Sequence, residues 1–141
     1  MKMDIKVQVL GMGYIGLPTS ICLAECFDCV HGYDIDSKKI EKISQYDVDK
    51  NEPFLIEKLK KVLPGSLSIS NECVEADVHI ICVPTPFNKD KSPNLQFIFE
   101  AIDKLSPLLK KNDLIILEST SPIGTTKKIQ EFILQKRDDF S

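Results

Sequence analysis

Apolar residues in this chain gather in five short bursts, and the stretches between them repeat their apolar positions at helical spacing. The bursts at 5–10, 29–34, 67–70, 78–83 and 114–118 are four to six residues long, the length of strands rather than helices. The first burst is apolar enough to be covered on both faces, and "VHIICV" in the fourth is the densest of the rest. The spacing predicts a first helix over 14–25, with Pro18 in or just beyond its first turn, where a missing N–H costs least. A second helix over 38–44 buries Ile40 and Ile43 and takes its cap from Asp36 or Ser37. Phe54, Leu55, Leu59, Val62 and Leu63 form the apolar face of a third, which Pro64-Gly65 ends. Asn94 caps a fourth helix through 109, kinked or broken at Pro107, with Phe97, Ile98, Ala101 and Leu105 as its core stripe. The prolines of 84–94 keep that stretch a loop, and a last helix covers 125–136. Strands alternating with helices imply an α/β domain over 1–141, a doubly wound parallel sheet of order 3-2-1-4-5.

Composition removes several function classes. The chain of 141 residues is 43% hydrophobic and 28% charged, with a net charge of −3. That balance lacks the basic stripe a nucleic-acid partner requires. Lys60-Lys61 and Lys110-Lys111 are assigned to solvated helix ends. Five cysteines, an odd number, point to reduced thiols. Lys2 and Lys6, the apolar run and Leu23-Ala24-Glu25-Cys26 imitate a secretory leader. Asp4, Gln8 and Glu25 spoil it, so the expected location is cytoplasmic. No apolar run reaches the ~18 residues of a membrane span, so no membrane association is expected.

Against this layout "GMGYIG" at 11–16 acquires a chemistry. Gly11 permits the tight turn out of the first strand, Gly13 lets the backbone approach a pyrophosphate, and Gly16 lets the helix pack closely on the sheet. The amides of Gly13, Tyr14 and Ile15 then meet an anion at a helix N-terminus. A glycine-rich turn without a ligand has the same spacing, so the second strand is what decides. It ends in "GYDID", with Asp34 18 positions beyond Gly16, near the ~20 of the acid that binds an adenosine ribose. A carboxylate there accepts from both ribose hydroxyls and repels a 2′-phosphate, which selects NAD over NADP. Asp36 competes for this role; Asp34 stands at the strand's carboxyl end and is the better placed. The expected fold is therefore of Rossmann type and the expected cofactor NAD. Two further segments fall where strands four and five end, beside such a cofactor. The first carries Val83, Pro84 and the hydroxyl of Thr85; the second carries Glu118, Ser119 and Thr120. Turn capping is the competing use of such hydroxyls.

"GMGYIGLPTS", "GYDID", "VPTPFN", "SPNLQFI" and "LIILESTSPIGTT", in this order over 6–128, resemble the N-terminal domain of the UDP-glucose/GDP-mannose dehydrogenase family. The pairing of "VPTPF" with "ESTSP" most resembles its UDP-N-acetyl-D-mannosamine dehydrogenase branch. The resemblance implies an enzyme that oxidises the C6 alcohol of a UDP-sugar to a carboxylate. It reduces two NAD through an aldehyde and a cysteine thioester. It also implies that Gly11, Gly13, Tyr14, Ile15, Asp34, Lys39, Thr85 and Thr120 touch cofactor, and that Thr120 is catalytic in helping to place the water. The family's next strand, its catalytic glutamate loop and the domain with its nucleophilic cysteine lie outside this sequence. The expectation is a chain that binds NAD without completing the oxidation, its UDP-sugar partner held by the missing domain.

Rival readings use the same residues. A stand-alone NAD-binding or regulatory module shares every motif. A Rossmann-like domain for S-adenosylmethionine also has a glycine loop and an acid after strand two, but no pyrophosphate to seat at Gly13. Cys22, Cys26 and Cys29 have the C-x3-C-x2-C spacing of an iron–sulfur site, yet should be split between a helix and a strand. Small buried apolar residues are the expected role for the cysteines, and no metal is expected. His31 and His79 are expected as core or edge residues. In the order 3-2-1-4-5 the uncharged "LIIL" at 114–117 forms a sheet edge. Pairing with a second copy is expected there, against a monomer whose own C-terminal residues cover it.

Overall fold

The computed structural model describes residues 3–48 and 52–140. Lys2, one of the cations in the leader-like start, therefore lies outside the described residues. The elements run β1 (Met3–Leu10), α1 (Gly16–Cys26), β2 (Phe27–Tyr33), α2 (Ser37–Ser44), α3 (Pro53–Val62), β3 (Leu67–Ser70), β4 (Val78–Ile81), α4 (Gln96–Leu105), β5 (Leu114–Leu117) and α5 (Thr125–Lys136). The five strands form one parallel sheet in the order β3-β2-β1-β4-β5, as the alternation of elements predicts. No helix among the described residues is long and apolar enough to cross a membrane.

Each face of the sheet has its own core. Val7, Val9, Val30, Leu67 and Ile80 point to one side, against Ile21 of α1 and Leu59 of α3. Leu10 and Ile81 point to the other, against Ile98, Ile102 and Leu105 of α4 and Ile129 and Ile133 of α5. The near-continuous apolar runs of β1 and β4 arise from this double coverage, since alternate side chains serve alternate layers.

Several boundaries move for local reasons. Tyr14 and Ile15 stay outside α1, because the chain must first turn at Gly11 before helical geometry begins. α4 stops at Leu105 rather than 109: Pro107 lacks the N–H that an α-helix needs, and Ser106–Leu108 tightens into a 3-10 turn. Asn94 does act at the start of α4, its Oδ1 accepting from the Gln96 N–H at 2.9 Å. Asp36 caps α2, accepting from the Lys38 and Lys39 amides. Lys110 and Lys111 sit in the turn before β5, not at a helix end. Phe54 is exposed on α3. Phe97 leaves the α4 core stripe and is 42% exposed, because its helix face looks past the end of the sheet. Cys22, Cys26 and Cys29 are exposed rather than buried, lying where α1 and β2 meet.

One row across the sheet is polar. Ser68, His31, Gln8 and His79 stand opposite one another in register on β3, β2, β1 and β4. His31 Nδ1 accepts from Ser68 Oγ at 2.9 Å and Nε2 donates to the Glu72 carbonyl at 3.0 Å. Gln8 clasps Val74 through both backbone groups, at 2.7 and 3.1 Å, and donates to His79 Nδ1 at 3.1 Å. The row therefore ties the connection between β3 and β4 onto the sheet. His79 Nε2 faces Asp113 Oδ2 from 3.6 Å, beyond hydrogen-bond range, and has no hydrogen-bond partner among the described residues.

Burial holds the His31 and His79 imidazoles below the ordinary histidine value of 6.5. The unfolded chain takes up those protons more readily, so stability is complete above about 6.5 and declines as pH falls below it. Chemical denaturation at intervals from pH 7.5 to 5.5 should show the midpoint falling toward the acid end. His79→Asn should flatten that decline.

Candidate functional site

The carboxyl ends of β1, β2, β4 and β5 meet at one cleft, and backbone bonds hold them there. Gly11 N–H donates to the Tyr33 carbonyl at 2.7 Å, and Cys82 N–H to the Leu10 carbonyl at 2.7 Å. Gly11 has φ +100°, and a Cβ on it would stand 2.7 Å from the Cys82 carbonyl oxygen. Only glycine fits that turn. Gly16 has no space either: a Cβ there would fall on the Gly11 carbonyl oxygen. Gly13 is different, with nothing within 4 Å of where its Cβ would be. The protein's own packing does not demand glycine at 13, so the empty space is available to a ligand.

Beside that space the first turn of α1 begins. No side chain caps it, and among the described residues no protein acceptor takes the Gly13, Tyr14 or Ile15 amides. These free donors, with the helix dipole behind them, suit an anionic group.

Asp34 follows β2 and is 6% exposed. Its Oδ2 accepts from the Met12 N–H at 2.9 Å and from Lys39 Nζ at 2.8 Å, and its Oδ1 from the Asp36 N–H at 3.0 Å. A carboxylate offers about four acceptor positions; one remains on Oδ1, and the half-exposed Lys39 can yield another. Asp36 has Oδ1 engaged by the Lys38 and Lys39 amides and does not line this cleft, where Asp34 is the acid on the β2 side.

The cleft encloses about 290 Å³, and its wall includes Gly11, Gly13, Tyr14, Ile15, Asp34, Lys39, Val83, Pro84, Thr85, Glu118, Ser119 and Thr120. Of the sequence-predicted set only Gly16 is missing from the wall, since it is buried beneath the turn. Ser119 spends its hydroxyl on the Val83 carbonyl at 2.7 Å and the Ile81 carbonyl at 3.2 Å, which ties the two turns together. Among the described residues the Thr85 and Thr120 hydroxyls donate to no protein acceptor. A neighbouring space of about 430 Å³ extends past Ile35 to Phe97 and Lys104 of α4.

Sequence reasoning missed two residues here. Cys82 lies just past β4 and lines the cleft, donating from Sγ to Glu118 Oε2 at 3.5 Å. Burial and the Glu118 charge push its thiol up to about 12. Phe97 forms an apolar wall rather than core. A strand ending two residues earlier, at Ile81, places the first outside the sheet; nothing in helical periodicity separates the second from its buried neighbours. Among the described residues no group of three or more His, Cys, Asp or Glu gathers as a metal site.

A family model described as UDP-glucose/GDP-mannose dehydrogenase family, NAD binding domain, matches residues 5–141. The chain is 39% identical over 136 residues to UDP-N-acetyl-D-mannosamine dehydrogenase of Escherichia coli K12, covering 96% of this chain and 32% of that protein. It is also 39% identical, with the same coverage, to NDP-N-acetyl-D-galactosaminuronic acid dehydrogenase of Ralstonia solanacearum. The solved UDP-D-ManNAc dehydrogenase of Pyrococcus horikoshii superposes with a TM-score of 0.87 at 38% identity, over 93% of this chain and 32% of that one. The chain thus spans about one third of the length of these relatives. The matches do not favour an S-adenosylmethionine domain or a separate regulatory module.

The two glycine environments give opposite expectations. Gly16→Ala should destabilise the fold by about 3 kcal/mol, because backbone on both sides of the turn must move. Gly13→Val should leave the unfolding midpoint close to that of the parent. Paired denaturant titrations check both.

Proposed function

The chain belongs to the UDP-glucose/GDP-mannose dehydrogenase family as its NAD-binding domain, and on that premise we propose how its residues hold the cofactor and which reaction they serve. The pyrophosphate lies over Gly13, on the amides of Gly13, Tyr14 and Ile15. Asp34 takes the adenosine ribose hydroxyls, with Lys39 beside it. Phe97 and Ile35 offer the apolar walls for the adenine. Val83, Pro84, Thr85, Glu118, Ser119 and Thr120 border the nicotinamide half, Ser119 by stiffening the wall. The open space above Gly13, next to uncapped amides and a buried acid, is the observation that carries this reading.

The parent reaction we propose is oxidation of the C6 alcohol of a nucleotide N-acetyl-sugar to a carboxylate. Two relatives acting on such sugars, at 39% identity each, support that class. When bound, the cofactor supplies the hydride acceptor. Thr120 Oγ1, which donates to no protein acceptor among the described residues, orients the reacting oxygen or water from the cleft wall. A nucleophilic thiol is not offered by this cleft: Cys82 is held protonated. The exposed Cys22, Cys26 and Cys29 lie near the C-terminus of α1 and the start of β2, at the sheet's opposite end. Binding of cofactor without turnover is therefore the proposed behaviour of this chain, which we place in the cytoplasm.

Calorimetric titration tests the site. NAD should bind with Kd on the order of 0.1–1 mM, as expected for a shallow cleft with few contacts. Gly13→Val should abolish binding. Asp34→Ala should weaken NAD about tenfold, the worth of one charge-assisted pair, and strengthen NADP, because Lys39 is then free to meet the 2′-phosphate. Unaltered NAD binding by Gly13→Val would refute the assignment.

A second copy is the proposed partner of the sheet edge. β5 pairs only with β4 among the described strands, and Leu114 and Ile116 on it are 53% and 40% exposed. An apolar edge with open N–H and C=O groups is a template for strand pairing, here across a two-fold axis. Light scattering should report a dimer that Ile116→Lys dissociates.

A further inference from the structure

The cofactor cleft contains one carboxylate with no cation to answer it. Asp34 is paired with Lys39 at 2.8 Å. Glu118, which lines the same cleft, has no Lys, Arg or His at ion-pair distance among the described residues. Its partner is a neutral one, the Cys82 thiol, which donates from 3.5 Å. The thiol stays protonated, pushed up to about 12, so it positions the carboxylate without cancelling its charge. The cleft is thus electrically lopsided: a compensated pair at one end and a net negative charge at the other.

Topology says which end is which. β4 and β5 flank β1 on the side away from β2, so Glu118 and Asp34 lie on opposite sides of the glycine turn. With an adenosine ribose at Asp34 and the pyrophosphate over Gly13, the nicotinamide half falls toward β4 and β5. The oxidised nicotinamide ring carries a full positive charge, and the reduced ring carries none. Only the oxidised form gains from an unpaired carboxylate at that end.

We infer that Glu118, positioned by Cys82, makes this cleft discriminate between the two redox forms of its cofactor, favouring the oxidised one. The inference rests on the cofactor reading given above and adds to it a residue that senses ring charge. Glu118 is open to solvent, so its effect is that of an exposed ion pair, roughly two- to fivefold in relative affinity. Cys82 is a positioning residue: its own contact is with Glu118. The arrangement favours capture of fresh cofactor and release of the spent form.

Titration of the whole chain with oxidised NAD, NADH and ADP-ribose tests this. Glu118→Gln should weaken oxidised NAD roughly two- to fivefold, leave NADH unchanged, and leave ADP-ribose, which lacks the ring, unchanged. Cys82→Ala should shift the same ratio partway, and Cys82→Ser, which keeps a donor, should restore it. The difference between parent and Glu118→Gln should shrink in high salt, as a charge effect must. Equal loss for both redox forms, no change in their ratio, or an effect on ADP-ribose overturns the inference while leaving the cofactor reading in place. Failure of the parent chain to bind any of the three overturns both.

Discussion

The first turn of α1 passes so close over the end of β1 that neither partner has room for a side chain. Gly16 rests against the Gly11 carbonyl, and Gly11 rests against the Cys82 carbonyl at the end of β4. The glycine turn and the end of β4, some seventy residues apart in sequence, therefore meet backbone to backbone. That contact sets the height of the helix over the sheet, and so the direction in which its first amides point. It also leaves those amides uncapped, because no side chain of the turn can fold back to reach them. A stability requirement and a binding feature come from one constraint: packing demands the glycines at 11 and 16, and the resulting empty space makes the one at 13 useful.

Electrostatics then distinguish the two sides of this turn. On the β2 side, Asp34 is enclosed and multiply bonded, to Met12 and Asp36 amides and to Lys39. Its contact with Met12 reaches back into the glycine turn, so the acid helps hold that turn in place. On the β4–β5 side the wall is built from two turns joined by Ser119, with unengaged hydroxyls at Thr85 and Thr120 and an uncompensated charge at Glu118. On the placement proposed above, the rigid, well-bonded end would hold the adenosine half and the loosely engaged, charged end would face the nicotinamide.

The opposite pole of the domain serves stability. The polar row of Ser68, His31, Gln8 and His79 runs across the sheet below the cleft and fastens the chain between β3 and β4 to it. Burying Gln8, His31 and His79 in this row is tolerable because most of their donors and acceptors are satisfied, largely by backbone groups of residues 72 and 74. His79 Nε2, which faces Asp113 without a hydrogen-bond partner among the described residues, and the buried His31 couple this pole to pH.

Local pattern alone was enough for the elements, their order and most of the site. Strand and helix periods differ, the crossovers are handed, and a parallel sheet gathers its loops at one end, so sequence alone brings Gly11, Asp34, Thr85 and Thr120 to one cleft. The cap that Asp36 places on α2 was legible in the same way. Periodicity says which face of a helix is apolar, but not where that face runs out of sheet to cover, and so it does not separate Phe97 from the core. Composition likewise assigned Cys22, Cys26 and Cys29 to the interior, whereas the junction of α1 and β2 turns them to solvent. The partnerships among distant side chains were also invisible: Cys82 with Glu118, Lys39 on Asp34, Gln8 on Val74. Each depends on two or three segments arriving at hydrogen-bond distance together. Such distances are fixed by the packing of whole layers rather than by any short stretch of residues.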